Sequence, residues 1–346
     1  MKTTISSRRH GFLTRVSIFL IAVALTIGMV GCVPPPIQIR DWHDLHDIRN
    51  NLRDSYVLMN DLDATTAGYR ELASPTANGG QGWQPIGTSD DRFTGSLDGQ
   101  GYEIRDLFIN RPDENYVGLF ANISWTRHID NVGVIENVGV VNADVTGDSN
   151  VGGLVGHNGG IVNNSYSSGS VTGTERVGGL VGWNQAALNN SFSSCTVAGD
   201  SHVGGLVGDN WYHGGIVSNS YSTGDVRGST RVGGLVGYNW GIVNNSYSSG
   251  SATGAERVGG LVGYNKDTVS NSFWDRMTSG LGWSDGGTGK TTAEMQDIAT
   301  FTDTAREGLD QPWDIAAVAH GETDPTCVWN IVPGQTYPFL SWQSVS

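Results

Sequence analysis

Basic side chains are scarce in this chain, with 20 Lys and Arg against 34 Asp and Glu and a formal net charge of −14. Four of the basic residues (Lys2, Arg8, Arg9, Arg15) fall in the first 31 positions, which hold no acid. The remainder carries 16 basic against 34 acidic groups, a net of −18. Nucleic-acid binding needs a basic patch to neutralise phosphates, and this balance argues against it. Three cysteines make no disulfide framework. A Gly-X-Y period is also missing, which excludes collagen despite 50 glycines in 346 residues, about twice the usual share near 7%. Disorder is disfavoured too, because 38% of residues are hydrophobic and the 11 Trp, 11 Tyr and 9 Phe recur regularly. A periodic β architecture is what this composition leaves.

The amino terminus reads as an address. Basic residues precede a fifteen-residue apolar run at 16–30, too short for a comfortable membrane span, as in the n- and h-regions of an export signal. The run ends in Met29-Val30-Gly31-Cys32, which resembles the bacterial lipobox, although Met29 stands where Leu is usual. Residues 1–31 are therefore expected to be a lipoprotein-type signal peptide and Cys32 the lipid attachment site. Residues 32–40 would be a tether stiffened by Pro34-Pro35-Pro36. Stable anchoring needs two acyl chains, since one gives only marginal membrane binding.

Beyond residue 116 a repeat dominates. The unit VGGLVGxN, a variable link, (I/V)xNSY and a Gly-x-Val/Ala-x-Gly turn begins at Val151, Val177, Val203, Val232 and Val258. The spacings are 26, 26, 29 and 26, and the long one contains three extra residues, Trp211-Tyr212-His213, at a loop. A worn copy starts at Val117. Within a unit the apolar stretches are short, β-branched or aromatic, and punctuated by Gly and Asn, so they read as strands and corners. The expected fold is all-β: a parallel β-helix with about three short strands per 26-residue coil, right-handed by the general preference of parallel crossovers. Coils stacked at roughly 4.8 Å turn like positions into columns. Tyr166, Phe192, Tyr221, Tyr247 and Phe273 form an aromatic column. Asn164, Asn190, Asn219, Asn245 and Asn271 form one asparagine column, and Asn158, Asn184, Asn210, Asn239 and Asn265 a second. Such amides can bond along a ladder, and asparagine tolerates left-handed corners.

VGGLVGxN followed by an NSYSTG-type segment resembles the GLUG motif family of bacterial and archaeal surface proteins. The clean repeats cover residues 151–275. This likeness implies a surface location and a solenoid, and it brings no catalytic residues; members include adhesin-like proteins and non-catalytic repeat regions of secreted peptidases. Two departures bear on one coil's corners: Gln185-Ala186-Ala187 replaces the glycine link, and Cys195 stands where Gly169, Gly224 and Gly250 stand elsewhere.

The ends of a solenoid must be covered, because a bare terminal coil is an adhesive sheet edge. Trp42, Leu45, Ile48 and Leu52 make one helical stripe suited to the first coil. Residues 41–116 are thus expected to form an N-terminal cap and irregular coils, residues 117–275 the repeat solenoid, and residues 276–346 a C-terminal cap on the last coil. Thr291-Thr292-Ala293-Glu294 has the capping-box pattern and should open a helix carrying Met295 and Ile298.

Several motifs invite sharper readings. Gly286-Gly287-Thr288-Gly289-Lys290-Thr291 suggests a nucleotide loop, but Ser284 occupies the position of its first glycine, so a turn before a helix is preferred and no nucleotide is expected. Asp148, Glu175 and Asp200 on successive coils could serve a polysaccharide-active enzyme. Arg176, His202, Arg231 and Arg257 follow within one or two residues, which suits a solvated salt-bridge edge better. Asn60, Asp61 and Asp63 read as a turn rather than a calcium site, and whether Cys195 pairs with Cys327 stays open. No metal or cofactor is expected. Trp183, Trp211, Tyr212, Tyr238, Trp240 and Tyr264 lie at or beside the variable link and are not needed by the core columns. They form a candidate ligand-binding strip or, alternatively, a self-packed corner.

The reading is a lipid-anchored, extracytoplasmic, non-catalytic adhesion or interaction module that binds surface glycan or protein. The alternatives are a passive envelope spacer and a polysaccharide lyase or hydrolase. For the anchor, Cys32→Ser should abolish both processing and membrane retention in cell fractionation. A variant still processed at the same site and still membrane-bound would contradict the assignment.

Overall fold

The computed structural model describes residues 34–124, 132–211 and 214–343. The signal segment and Cys32 lie outside the described residues. Residues 36–346 make one compact unit, and in it the strands run parallel from coil to coil in sheets of nine, six, five and twelve strands. A short three-stranded sheet belongs to the C-terminal segment.

The parallel β-solenoid is present, and each coil is cut more finely than into three strands. The coil at Val203 has five: Ser201–Gly204, Val207–Asn210, Ile216–Ser218, Tyr221–Ser222 and Val226–Arg227. The VGGLVGxN octet alone spans two sheets, because the chain turns at Gly204-Gly205-Leu206. Neighbouring backbone comes so close there that a Cβ on Gly204 would collide with the Val207 carbonyl, and one on Gly205 with that of Gly234. The insertion beginning at Trp211 is absorbed between strands, since Val207 pairs with Val236 before it and Ile216 with Ile242 after it.

Identical letters therefore stack. Val155, Val181, Val207, Val236 and Val262 are fully buried, as are Leu154, Leu180, Leu206, Leu235 and Leu261. Burying a side chain of this size stabilises by about 1.5–3 kcal/mol. One coil cannot bury its apolar face alone, so this gain comes from neighbours.

Two polar ladders run through the same interior. Asn158 Nδ2 donates to Asn184 Oδ1 at 2.7 Å, Asn184 to Asn210 at 2.8 Å, Asn210 to Asn239 at 2.8 Å, and Asn239 to Asn265 at 2.7 Å. The second ladder, built on the serine of NSY, escaped the sequence reading. Ser165, Ser191, Ser220 and Ser246 each use their hydroxyl to bond the carbonyl two residues back, at 2.7–2.8 Å. The hydroxyl of Ser191 in turn accepts the Ser165 N–H, and Ser220, Ser246 and Ser272 repeat the pattern. Asn164, Asn190, Asn219, Asn245 and Asn271 do a different job, sitting at corners with φ of 45–49°. Left-handed backbone there favours asparagine among non-glycine residues.

The aromatic column stacks face to face: Tyr166–Phe192 at 4.8 Å, Phe192–Tyr221 at 4.9 Å and Tyr221–Tyr247 at 4.9 Å, with planes within 8°. Phe273 is in backbone register with Tyr247, but its ring meets Phe301 edge-on at 5.6 Å.

At the amino end, Trp42–Asp47 is helical and continues as a 3-10 turn over Ile48–Asn50, with Trp42, Leu45 and Ile48 fully buried. The body begins inside the stretch assigned to the tether, since Ile37–Ile39 pairs with Ser55–Leu58 and Ile39 enters the core. At the other end the segment does two jobs. Trp274 takes the place in register of Ser248 and breaks the period, while Ser284 Oγ accepts the N–H groups of Leu261 and Val262 and so closes the last coil. From Thr291 onward the chain folds back along the aromatic column. Met295, Phe301, Trp313 and Trp329 form with Tyr221, Tyr247 and Phe273 a second core. The capping box at Thr291 forms, but the helix is only Thr292–Met295, with Ile298 capping a further short helix, Ala299–Thr302. Cys195 is buried and Cys327 half-buried, and both are free thiols.

If the amide ladder carries coil-to-coil specificity, Asn210→Ala should lower stability by about 2–3 kcal/mol, because it removes the rungs to Asn184 and Asn239 together with the bonds to the Gly215 and Ile242 carbonyls. Asn219→Gly, at a left-handed corner, should change it by less than about 0.5 kcal/mol. Urea-unfolding midpoints of the two variants check the contrast.

Candidate functional site

The third residue of each VGxN forms a column of its own, half-buried at Trp183 and Tyr264 and buried at His157, Asp209 and Tyr238. In register these are His157, Trp183, Asp209, Tyr238 and Tyr264. Seven residues before four of them stand Arg176, His202, Arg231 and Arg257, each in left-handed backbone with φ of 54–56°. That conformation costs a non-glycine residue about 1–2 kcal/mol and persists only where surrounding packing enforces it. It turns the corner so that each cationic or imidazole side chain lies over the neighbouring rings rather than along its own strand.

The two columns therefore interleave. Arg176 covers the Trp183 ring at 5.5 Å, Arg231 covers Tyr238 at 5.7 Å and Tyr264 at 5.8 Å, and Arg257 covers Tyr264 at 4.0 Å. His202 stacks on Tyr238 at 4.9 Å, and His157 on Trp183 at 4.6 Å. Cation–π contacts of this kind contribute about 0.5–1 kcal/mol each when exposed and more when desolvated. Burial pushes His157 down to about 4, so its ring joins the stack uncharged.

Where the ring column is interrupted by Asp209, charge fills the rung. Asp209 is fully buried, with Arg176 Nε at 3.2 Å and His202 Nδ1 at 3.4 Å from its Oδ2. Arg231 Nη1 donates to His202 Nε2 at 2.6 Å, which holds the imidazole with Nδ1 turned toward the carboxylate. Breaking such a pair from one side is expensive, because it leaves an uncompensated buried charge.

This geometry corrects the expectation of an alternating salt-bridge edge. Glu175 does pair with Arg176 at 2.9 Å. It is in register with Ser149 and Ser201, however, one residue along from Asp148 and Asp200, so the three carboxylates do not share a column. Asp148 and Asp200 are corner residues whose carbonyls accept the N–H groups of Thr174 and Ser229 from neighbouring coils.

Of the aromatic strip, the structure brings five members together in two runs. Trp183 meets Trp211 edge-on at 6.0 Å, and Trp211 meets Trp240 at 5.4 Å. Tyr238 meets Tyr264 at 5.5 Å, and Lys266 bridges the runs, 5.2 Å from the Trp240 ring and 5.6 Å from Tyr264. Trp183, Trp211, Trp240 and Tyr264 are half-buried, and Tyr238 is buried. Tyr212 lies outside the described residues. The interleaved cations were missed as ring partners, although the constant seven-residue offset between them and the VGxN position is a usable signal.

The nucleotide-like loop has another role. Thr288–Lys290 is a strand paired with Phe273–Asp275, and the buried Lys290 gives its ammonium to the Glu307 carbonyl at 2.8 Å. Asp63 Oδ1 accepts the Thr65 and Thr66 N–H groups, a turn as expected.

The GLUG motif matches residues 147–172, 199–227 and 228–253. A protein of Evansella cellulosilytica named "Putative Gly-rich membrane protein" is 36% identical over 147 residues, 40% of this chain and 15% of that protein. Halomucin of Haloquadratum walsbyi is 36% identical over 154 residues, 42% of this chain and 2% of its own length. The chain thus spans a small fraction of both relatives. Among solved structures, a "putative immunoglobulin A1 protease" from Bacteroides ovatus superposes with a TM-score of 0.58 at 21% identity, over 89% of this chain and 93% of that one. That likeness concerns the fold. The GLUG motif thus matches three of the stacked coils of this β-helix.

Proposed function

We propose that the protein is a lipid-anchored, non-catalytic binding module of the cell surface that holds glycan along the interleaved edge. The observation that carries this reading is the repeated pairing of rings with cations along successive coils, with Trp183, Trp211, Trp240 and Tyr264 half-buried. Between residues 132 and 275 the sequence has five Lys and Arg, and four of them (Arg176, Arg231, Arg257, Lys266) stand on this edge, each over an aromatic ring. A ladder that repeats such groups along its length suits a ligand that itself repeats, because weak contacts on a rigid scaffold add when the ligand is linked. Rings offer apolar faces to the C–H side of a sugar, and guanidinium groups offer paired donors to its oxygens.

The surface location is supported by the names of the two relatives, a membrane protein and a halomucin. The lipid anchor rests on the Cys32 motif. A spacer role is the second reading, favoured by the burial of Tyr238 and by the contacts the rings make with one another.

On a glycan array the full chain should show specific retention, and the Trp211→Ala/Trp240→Ala variant should weaken it at least about tenfold, the equivalent of 1.4 kcal/mol. No retention by the parent protein would favour the spacer. Release of reducing ends from a retained polysaccharide would contradict the non-catalytic assignment.

A further inference from the structure

The fold-back segment leaves part of the aromatic column uncovered. Tyr221 and Tyr247 are sealed beneath it, at 6% and 2% exposure, but Phe192 and Tyr166 are half-buried, and Trp342 near its end meets both rings. Its indole lies 5.9 Å from Phe192 and 6.0 Å from Tyr166, is 37% exposed, and is held by a hydrogen bond from Nε1 to the Asn190 carbonyl at 3.2 Å. Beside these rings a cleft of 710 Å³ opens, also lined by Asp98, Glu103 and Asn164. Its size falls in the range of about 300–1,000 Å³ typical of small-molecule sites.

The polar groups of the cleft are pre-positioned. Asp98 Oδ1 accepts the Gln100 N–H at 2.8 Å and Asn137 Nδ2 at 3.0 Å, which fixes the carboxylate and leaves Oδ2 without a hydrogen bond among the described residues. Asn164 Nδ2 donates to Asn137 Oδ1 at 3.1 Å. Glu103 is held between the Tyr166 hydroxyl and Arg105. The lining carries two carboxylates and no Lys or Arg, so it repels phosphate, sulfate and uronate groups. A fixed, exposed indole next to fixed carboxylate and amide groups is complementary to a ring with an apolar face and hydroxyls at its edge.

We infer that this cleft binds a neutral pyranose, a terminal sugar of a surface glycan, stacked on Trp342 with its hydroxyls directed at Asp98 and Asn164. The site shares no residue with the interleaved edge and stands or falls separately from it.

The test is saturation-transfer NMR on the full chain in zwitterionic detergent. The probes are the methyl β-glycosides of glucose, galactose and N-acetylglucosamine, with glucuronate as the charged comparison. Ring protons of at least one neutral glycoside should receive saturation and glucuronate should not. Trp342→Ala should weaken Kd about tenfold, Trp342→Phe should restore part of it, and the Trp211→Ala/Trp240→Ala variant should bind as the parent does. Asp98→Asn keeps the Oδ1 acceptor, tests the free oxygen without removing a packed ring, and should also weaken binding. Transfer to none of the three glycosides, equal transfer to glucuronate, or unchanged binding in both Trp342→Ala and Asp98→Asn would overturn the inference.

Discussion

Everything in this molecule depends on coils meeting at one fixed register. Backbone pairing alone would permit slippage, because a parallel ladder offers the same donors and acceptors at every step, and a shift by one residue would turn each apolar side chain outward. Side chains remove the degeneracy. The asparagine and serine ladders bond only when Asn meets Asn and Ser meets Ser, and the glycine pairs admit the neighbouring coil only where they coincide. Buried polar groups are costly when unpaired, so a slipped coil loses both the hydrogen bonds and the desolvation already incurred.

That constraint shapes the surfaces as well. Because outward positions also stack, any residue type repeated at a given place becomes a stripe along the solenoid. One stripe, Tyr166 through Tyr247, is covered by the fold-back segment and becomes a second core. Another, at the VGxN position, is overlaid by cations from left-handed corners, which leave Trp183 and Tyr264 half-buried. The departure of Asp209 from that stripe is tolerated because Arg176 and His202 reach it from adjoining coils.

Much of this was legible in the letters. A 26-residue period, the inward valine and leucine files, the helical stripe at Trp42 and the capping box at Thr291 each rest on spacing, and spacing survives folding. What was hidden depends on backbone angles or on distant contacts. Nothing in the identity of Arg176 or Arg231 announces a positive φ, so their side chains were placed beside acids rather than over rings. The finer division of each coil follows from backbone approach at Gly204 and Gly205, which the count of apolar stretches does not report. The path of residues 291–343 had no period to read. Trp329 and Trp342 could be recognised as packing residues, but not that they lie on the aromatic column instead of solely on the last coil.

Register is open to direct chemical measurement. Thr230 and Glu256 are Cα partners on adjacent coils and both reach the surface. Parallel neighbours at about 4.8 Å fall within the Cα separation a disulfide accepts. In a chain with Cys195 and Cys327 replaced by alanine, cysteines at 230 and 256 should close a disulfide on mild oxidation, read by mass spectrometry without reduction. A pair that stays reduced in a protein retaining its β-sheet circular dichroism would contradict the stacking on which both proposed binding surfaces depend.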